Sequence, residues 1–161
     1  MAVTSDVYLG NPNLKKAGTE IQFTKKQVQE WIKCKEDPLY FALNYIQIIS
    51  LDEGLVPFTM YGFQKEIMMD FHENRFNIAK LPRQTGKSTT VVAYLLHYAI
   101  FNDSVNIGIL ANKASTAREL LGRLQLAYEN LPKWMQHGIL VWNKGNVELE
   151  NGSKILAAST S

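Results

Sequence analysis

What the chain lacks narrows its class first. Cys34 is the single cysteine in 161 residues, which excludes an intrachain disulfide and a zinc site of paired cysteines and suits a reducing compartment. Neither charge sign dominates: the net charge of +2 neither demands a polyanionic partner nor excludes one, since a basic patch can sit within a balanced total. No apolar run is long enough to span a membrane, and Met1 to Asp6 lacks the charged and apolar regions of a signal peptide. No repeat or low-complexity segment is present, and His72, His97 and His137 fall on separate segments without metal-ligand spacing. A hydrophobic content of 46% supplies a core, so the sequence predicts a soluble intracellular domain or a large part of one.

What is present centres on Leu81-Pro82-Arg83-Gln84-Thr85-Gly86-Lys87-Ser88-Thr89. The apolar run Phe76 to Leu81 predicts a short buried strand. Val91, Val92, Leu95, Leu96 and Ala99 predict a helix from Ser88 to Phe101. Gly86-Lys87-Ser88 then lies at a strand-to-helix junction, where unpaired N–H groups and the positive end of the helix dipole favour phosphate. There Gly86 allows close backbone approach, Lys87 reaches the outer phosphates of ATP, and the Ser88 hydroxyl suits Mg²⁺. The pattern departs from the usual G-x-x-x-x-G-K-[ST], because Leu81 occupies the position of the first glycine. The plain alternative is an ordinary helix start with Ser88 as its cap.

Residues 1–23 read as a flexible arm broken at Gly10-Asn11-Pro12-Asn13 and at Gly18. Residues 24–75 read as a helical subdomain. Thr24 to Gln27 has the form of a capping box before Val28, Trp31 and Ile32; Asp37-Pro38 opens a second helix with the stripe Leu39, Ala42, Leu43, Ile46 and Ile49. A loop through Asp52-Glu53-Gly54 and Pro57 leads to a third helix over 61–73, with Gln64, Ile67, Met68 and Phe71 on one face. From residue 76 the rhythm becomes strand, helix, strand, helix. Val105 to Ala111 predicts a buried strand, joined in parallel to Phe76–Leu81 by the crossover, and residues 113–131 predict a helix. Strands follow at 139–142, 147–150 and 154–158, the last pair joined by the Asn151-Gly152 turn.

A phosphate-loop ATPase also needs an acidic residue at the end of a core strand. Asp103, Glu119, Glu129, Glu148 and Glu150 do not fit, and Glu148 and Glu150 alternate with Val147 and Leu149 as the solvent side of a hairpin. The residues therefore predict an α/β fold carrying the first part of an ATPase core, residues 76–161, that binds nucleotide but turns it over poorly alone. Cys34 beside Lys33 and Lys35 reads as an ordinary thiol, Trp31, Trp134 and Trp142 as packing residues, and Arg118 and Arg123 as a solvated helix face. A parallel sheet short of strands would leave an apolar edge open to self-association.

Several segments carry a family likeness: Glu30-Trp31-Ile32 with Tyr40-Phe41-Ala42, Tyr61-Gly62-Phe63-Gln64, the Leu81–Thr89 loop with Arg83-Gln84, Val105 to Lys113, and Trp142 to Ser153. The chain resembles the N-terminal part of the ATPase domain of the large terminase subunit of T-even-type tailed bacteriophages, motors that drive DNA into a preformed capsid. In that family the loop typically lacks the first glycine and carries Arg-Gln, as here. The resemblance implies an incomplete P-loop NTPase core of the ASCE, RecA-like kind, with a parallel sheet, behind a helical subdomain. It implies that Phe63 and Gln64 form an adenine-binding glutamine motif and that Arg83 is a catalytic arginine finger or phosphate sensor. It further implies that Lys87 is catalytic and that Gln84, Thr85, Gly86, Ser88 and Thr89 bind nucleotide, with Mg²⁺ on Ser88. ATP and Mg²⁺ are the implied cofactors. Double-stranded phage DNA, the portal protein, the small terminase subunit and further copies of the chain on the portal are the implied partners, in the host cytoplasm. The family's catalytic acids and nuclease domain would lie beyond Ser161. Two alternatives remain open: a fragment of a helicase-like ATPase of the DEAD-box kind, whose loop would carry more glycine, and a truncated nucleotide-binding module that acts with a partner chain.

Overall fold

Thr24 starts the first long helix by the predicted reciprocal cap: its Oγ1 accepts from Gln27 N at 3.2 Å while Gln27 Oε1 accepts from Thr24 N at 2.9 Å. The computed structural model describes residues 6–160, and this helix, α1, runs Lys25–Glu36. Asp37 ends it and caps α2, Pro38–Tyr45, through a 2.9 Å bond from Leu39 N, with Pro38 at the first position. The Glu30 carboxylate accepts from Tyr45 Oη at 2.7 Å and Tyr40 Oη at 2.8 Å, which ties α1 to α2. Those two phenols, Tyr45 first, hold its carboxyl below the usual carboxylate range. The buried face of α1 is Cys34 with Trp31, whereas Val28 and Ile32 stay half exposed. Burial, reinforced by Glu30 and Asp37, pushes the Cys34 thiol up to about 12, so it stays protonated and unreactive despite Lys33.

The second helix is shorter than its stripe predicts. Ile46 leaves helical geometry, and β3, Gln47–Ser50, pairs antiparallel with β4, Gly54–Pro57, around a turn that needs Gly54 at φ +76°. β-Branched Ile48 and Ile49 favour the pleated alternative once a turn lies within reach. Chain then enters α3, Gly62–Glu73, and after a loop α4, Lys87–Phe101; β5, Asn106–Ala111, and α5, Ala114–Glu129, follow. A single 3-10 turn, Lys133–Met135, precedes β6, Ile139–Trp142, β7, Asn146–Leu149, and β8, Lys154–Ser159. Helix α4 packs against α2, α3 and α5, and α5 lies on β5 and β8. Glu148 faces Lys154 across the β7–β8 pair, as the solvent-side alternation predicts.

The sheet differs from the predicted parallel core. Its order is β5-β8-β7-β6, with β5 and β8 parallel and the other pairs antiparallel. Phe76–Leu81 forms no strand: Phe76 is 82% and Ile78 fully exposed, so the parallel partner of β5 is β8 instead. An apolar run becomes a buried strand only where a neighbouring backbone takes its N–H and C=O groups, and none of the described strands flanks it. The architecture is therefore mixed α/β with one parallel pair. On the face away from α5, Leu110 and Leu156 are more than half exposed.

The predicted arm is ordered from residue 6, while residues 1–5 and Ser161 lie outside the described residues. Strands β1, Val7–Tyr8, and β2, Asn11–Lys15, form a hairpin over Leu9-Gly10, and Leu14 is fully buried. Gln136, itself buried, accepts from Lys15 N at 3.1 Å and donates to Asn13 O at 2.9 Å; Glu150 Oε1 accepts from Gly18 N at 2.8 Å. These partners lie more than 120 residues away in sequence, beyond the reach of local patterning.

His97 and His72 turn out to be neighbours, with ring centroids 6.1 Å apart, although no group able to hold a metal occurs among the described residues. His97 Nε2 donates to Cys34 O at 2.7 Å, which leaves Nδ1 buried without a partner. Desolvation first, with a smaller push from His72, lowers its pKa to about 4. His137, whose Nε2 donates to Ile100 O, is lowered by the same desolvation. The unfolded chain takes up these protons near pH 6.5 and the folded protein resists until about pH 4 for His97. Stability is therefore whole above pH 6.5 and lost as pH falls through that window, by about 3 kcal/mol from His97 at most. Urea unfolding at pH 7 and pH 5 should show that loss, and His97→Gln should flatten it.

Candidate functional site

The loop between α3 and α4 is shaped by two left-handed residues, Gln84 at φ +60° and Gly86 at φ +76°. Gly86, not Ser88, is the cap of α4, and Lys87, Ser88 and Thr89 are its first three residues. Their N–H groups are the orphan donors of a helix start, and no acidic side chain stands in this first turn to neutralise the positive end of the dipole. The arrangement can hold an anion at the helix axis.

Side chains stabilise the loop from within. Thr85 Oγ1 donates to Pro82 O at 3.1 Å, and Lys87 Nζ folds back to Leu81 O at 3.3 Å. The carbonyl of Gly86 accepts from Thr90 N at 3.1 Å, from Thr90 Oγ1 at 3.0 Å and from Gln64 Nε2 at 3.1 Å. Thr90 is fully buried, and sequence reasoning passed over it; the signal was a threonine four residues after the loop glycine, placed to bond back along the helix. Arg83 is exposed, with no carboxylate in ion-pair range among the described residues, so it has no acid partner here.

The site residues thus gather at one place. Arg83, Gln84, Thr85, Gly86, Lys87, Ser88 and Thr89 share the loop and first turn, and Gln64 reaches them from α3. Phe63 stacks on Tyr61 with centroids 6.0 Å apart and planes 9° from parallel. Together with Gln84, Thr85 and Gly86 they line a groove of about 310 Å³. Tyr61, 71% exposed, joins the site through this groove, where the resemblance gave a role only to Phe63 and Gln64 of its segment. A separate cleft of about 340 Å³ between Phe23, Trp31 and Trp134 contains no loop residue. The strand half of the strand-loop-helix unit is absent among the described residues; the loop-helix half is formed.

Residues 78–161, just over half of the chain, match the family model described as terminase large subunit, T4likevirus-type, N-terminal. The matched stretch contains the loop, α4, β5, α5 and β6 to β8. It begins after Phe63 and Gln64, which therefore rest on the contacts above.

Gly86→Ala places a methyl group 2.5 Å from Gln64 Nε2 at a left-handed φ. The expected cost is about 1–2 kcal/mol for the backbone alone, with further loss from the displaced amide, measured by chemical unfolding.

Proposed function

The chain belongs to the T4-like terminase large-subunit family, which supports a role in phage DNA packaging, and on that premise we propose that it presents the nucleotide-binding loop of the packaging motor. The observation that carries this reading is the glycine-capped start of α4, free of acidic side chains, with Lys87 as its first residue beneath a loop bearing Arg83. The outer phosphates of ATP lie against the N–H groups of residues 87–89, and the Lys87 ammonium swings from Leu81 O onto them. The base enters the groove beside Tyr61 and Phe63, whose parallel rings offer an apolar face for stacking.

Exposed and without an acid partner among the described residues, Arg83 acts on the charge that develops on the transferring phosphoryl group, as a finger or sensor. Mg²⁺ would neutralise phosphate charge, and the Ser88 hydroxyl, on the second residue of α4, would hold it. The donor set fits the phosphate side of such an ion. A carboxylate side is not supplied by a cluster among the described residues, and β5 and β8 end on Ala111 and Ser159 rather than on acids. We read the chain as one that binds nucleotide with little turnover. In the packaging motor, hydrolysis would drive phage DNA through the portal with the small terminase subunit. The helicase-like alternative is set aside by the family match, which includes the loop.

Titration of Mg·ATP is the test. Lys87→Ala should weaken binding roughly 10- to 100-fold, the worth of one charge-assisted bond, while wild-type turnover stays near background. Equal affinity of wild type and Lys87→Ala would overturn the reading.

A further inference from the structure

Helix α1 leaves a continuous apolar strip uncovered. Val28 and Ile32, one turn apart, are half exposed, and Lys25 and Lys35 extend the same stripe at its two ends, in the spacing of a helix seam. Val28 also lines the cleft of about 340 Å³ between Phe23, Trp31 and Trp134, so stripe and cleft form one surface. Half-exposed Phe23 stands between the two indoles, with centroids 6.1 Å and 6.3 Å away.

The free polar groups of this surface are donors. Lys15 brings its ammonium to the cleft, and the indole N–H groups of partly exposed Trp31 and Trp134 have no hydrogen-bond partner among the described residues. The Gln136 amide is already consumed, accepting from Lys15 N and donating to the carbonyls of Asn13, Tyr128 and Leu131. No acid lines the cleft, and Lys15, Lys25, Lys26 and Lys35 form no ion pair among the described residues. Residues 15–36 hold six lysines and three glutamates, an excess of three against a net +2 for the whole chain. Glu30 is turned onto Tyr40 and Tyr45, which leaves Glu20 and Glu36 to oppose the lysines. Such a surface suits an apolar ligand that brings its own carboxylates, and a stripe about 15 Å long suits a helix rather than a small molecule. A second copy docked on the same face across a two-fold axis would set Lys25 against Lys35, like against like. Nucleic acid would meet Val28 and Ile32 where phosphate needs cations.

We propose that α1 and the adjoining cleft dock an acidic amphipathic helix of a partner protein, with an aromatic side chain of that helix in the cleft and its carboxylates on Lys15, Lys25 and Lys35. The surface shares no residue with the groove beside the loop, so the proposal does not depend on nucleotide binding.

The test selects displayed random peptides of about 16 residues, enough for four helical turns, on the full chain. Selection should enrich apolar and aromatic residues at helical spacing flanked by Asp and Glu. An enriched peptide should shift the indole N–H resonances of Trp31 and Trp134 and leave that of Trp142, which packs on Tyr128, in place. Lys25→Glu combined with Lys35→Glu should weaken binding roughly tenfold, Val28→Asp by more, and Arg118→Glu on α5 not at all. Salt at about 0.5 M should weaken it as well. All of these substitutions are at exposed positions, and unfolding at the wild-type temperature checks that each variant is folded. No enrichment, enriched peptides without an acidic excess, or equal affinity of wild type and the lysine variant would overturn the proposal. So would a DNA duplex that moves both indole resonances at lower concentration than the peptide, or self-association of the chain that Val28→Asp abolishes.

Discussion

Helix α4 is held at both ends by side chains from distant parts of the chain, and the rest of the structure is arranged around that constraint. At its start, the Gly86 carbonyl is fixed by Gln64. At its end, Asn151 Nδ2 donates to Ala99 O and Asn102 O, His137 Nε2 to Ile100 O and Ser153 Oγ to Asn102 O. A helix end needs such partners, and this one carries no basic side chain in its last turn to help. The Asn151-Gly152-Ser153 turn therefore serves two structures at once, joining β7 to β8 and closing α4. Gly152 at φ +85° sits where a methyl group would press on Ser104 Oγ at 2.7 Å.

With its ends fixed, α4 can be buried along most of its length. Thr90, Leu96 and Ala99 are fully enclosed, with Val92, Ala93, Ile100 and Phe101 nearly so. The aromatic contacts Trp31 to Phe101 at 4.9 Å and Phe41 to Phe101 at 5.4 Å bring α1 and α2 onto its end. A helix enclosed in this way cannot rotate without breaking packing, so the direction of its first N–H groups is set by the core rather than by the loop. The start of α4 is thus held in place although the loop leading to it is largely exposed. Buried His97 belongs to the same enclosure, and desolvation there is what makes it refuse a second proton.

The apolar surface that is not enclosed is as informative. Phe76 and Ile78 stand in water, and Leu110 and Leu156 share one side of the parallel pair. Parallel strands are ordinarily covered on both faces. The helices of the described residues cover only one, through α5, so the loop and the start of α4 are organised while the residues before them have no ladder to join.

Much of this molecule was legible in local patterns because the forces involved are local. The Thr24 capping box, Asp37-Pro38, the stripes of α3 to α5, the Asn151-Gly152 turn and the loop before α4 each follow from neighbours a few residues apart. Tertiary structure decided the rest. Ile48 and Ile49 pair in a hairpin rather than extend a helix, the backbone around buried Leu14 is tied down by remote Gln136 and Glu150, and Phe76–Leu81 stays out of the sheet. Gln64 turns inward to Gly86, where its spacing alone would equally suit a base. Capping, helical periodicity and turn chemistry are written within a few residues, whereas strand partners and the destinations of buried amides depend on backbone groups that only the folded chain brings near.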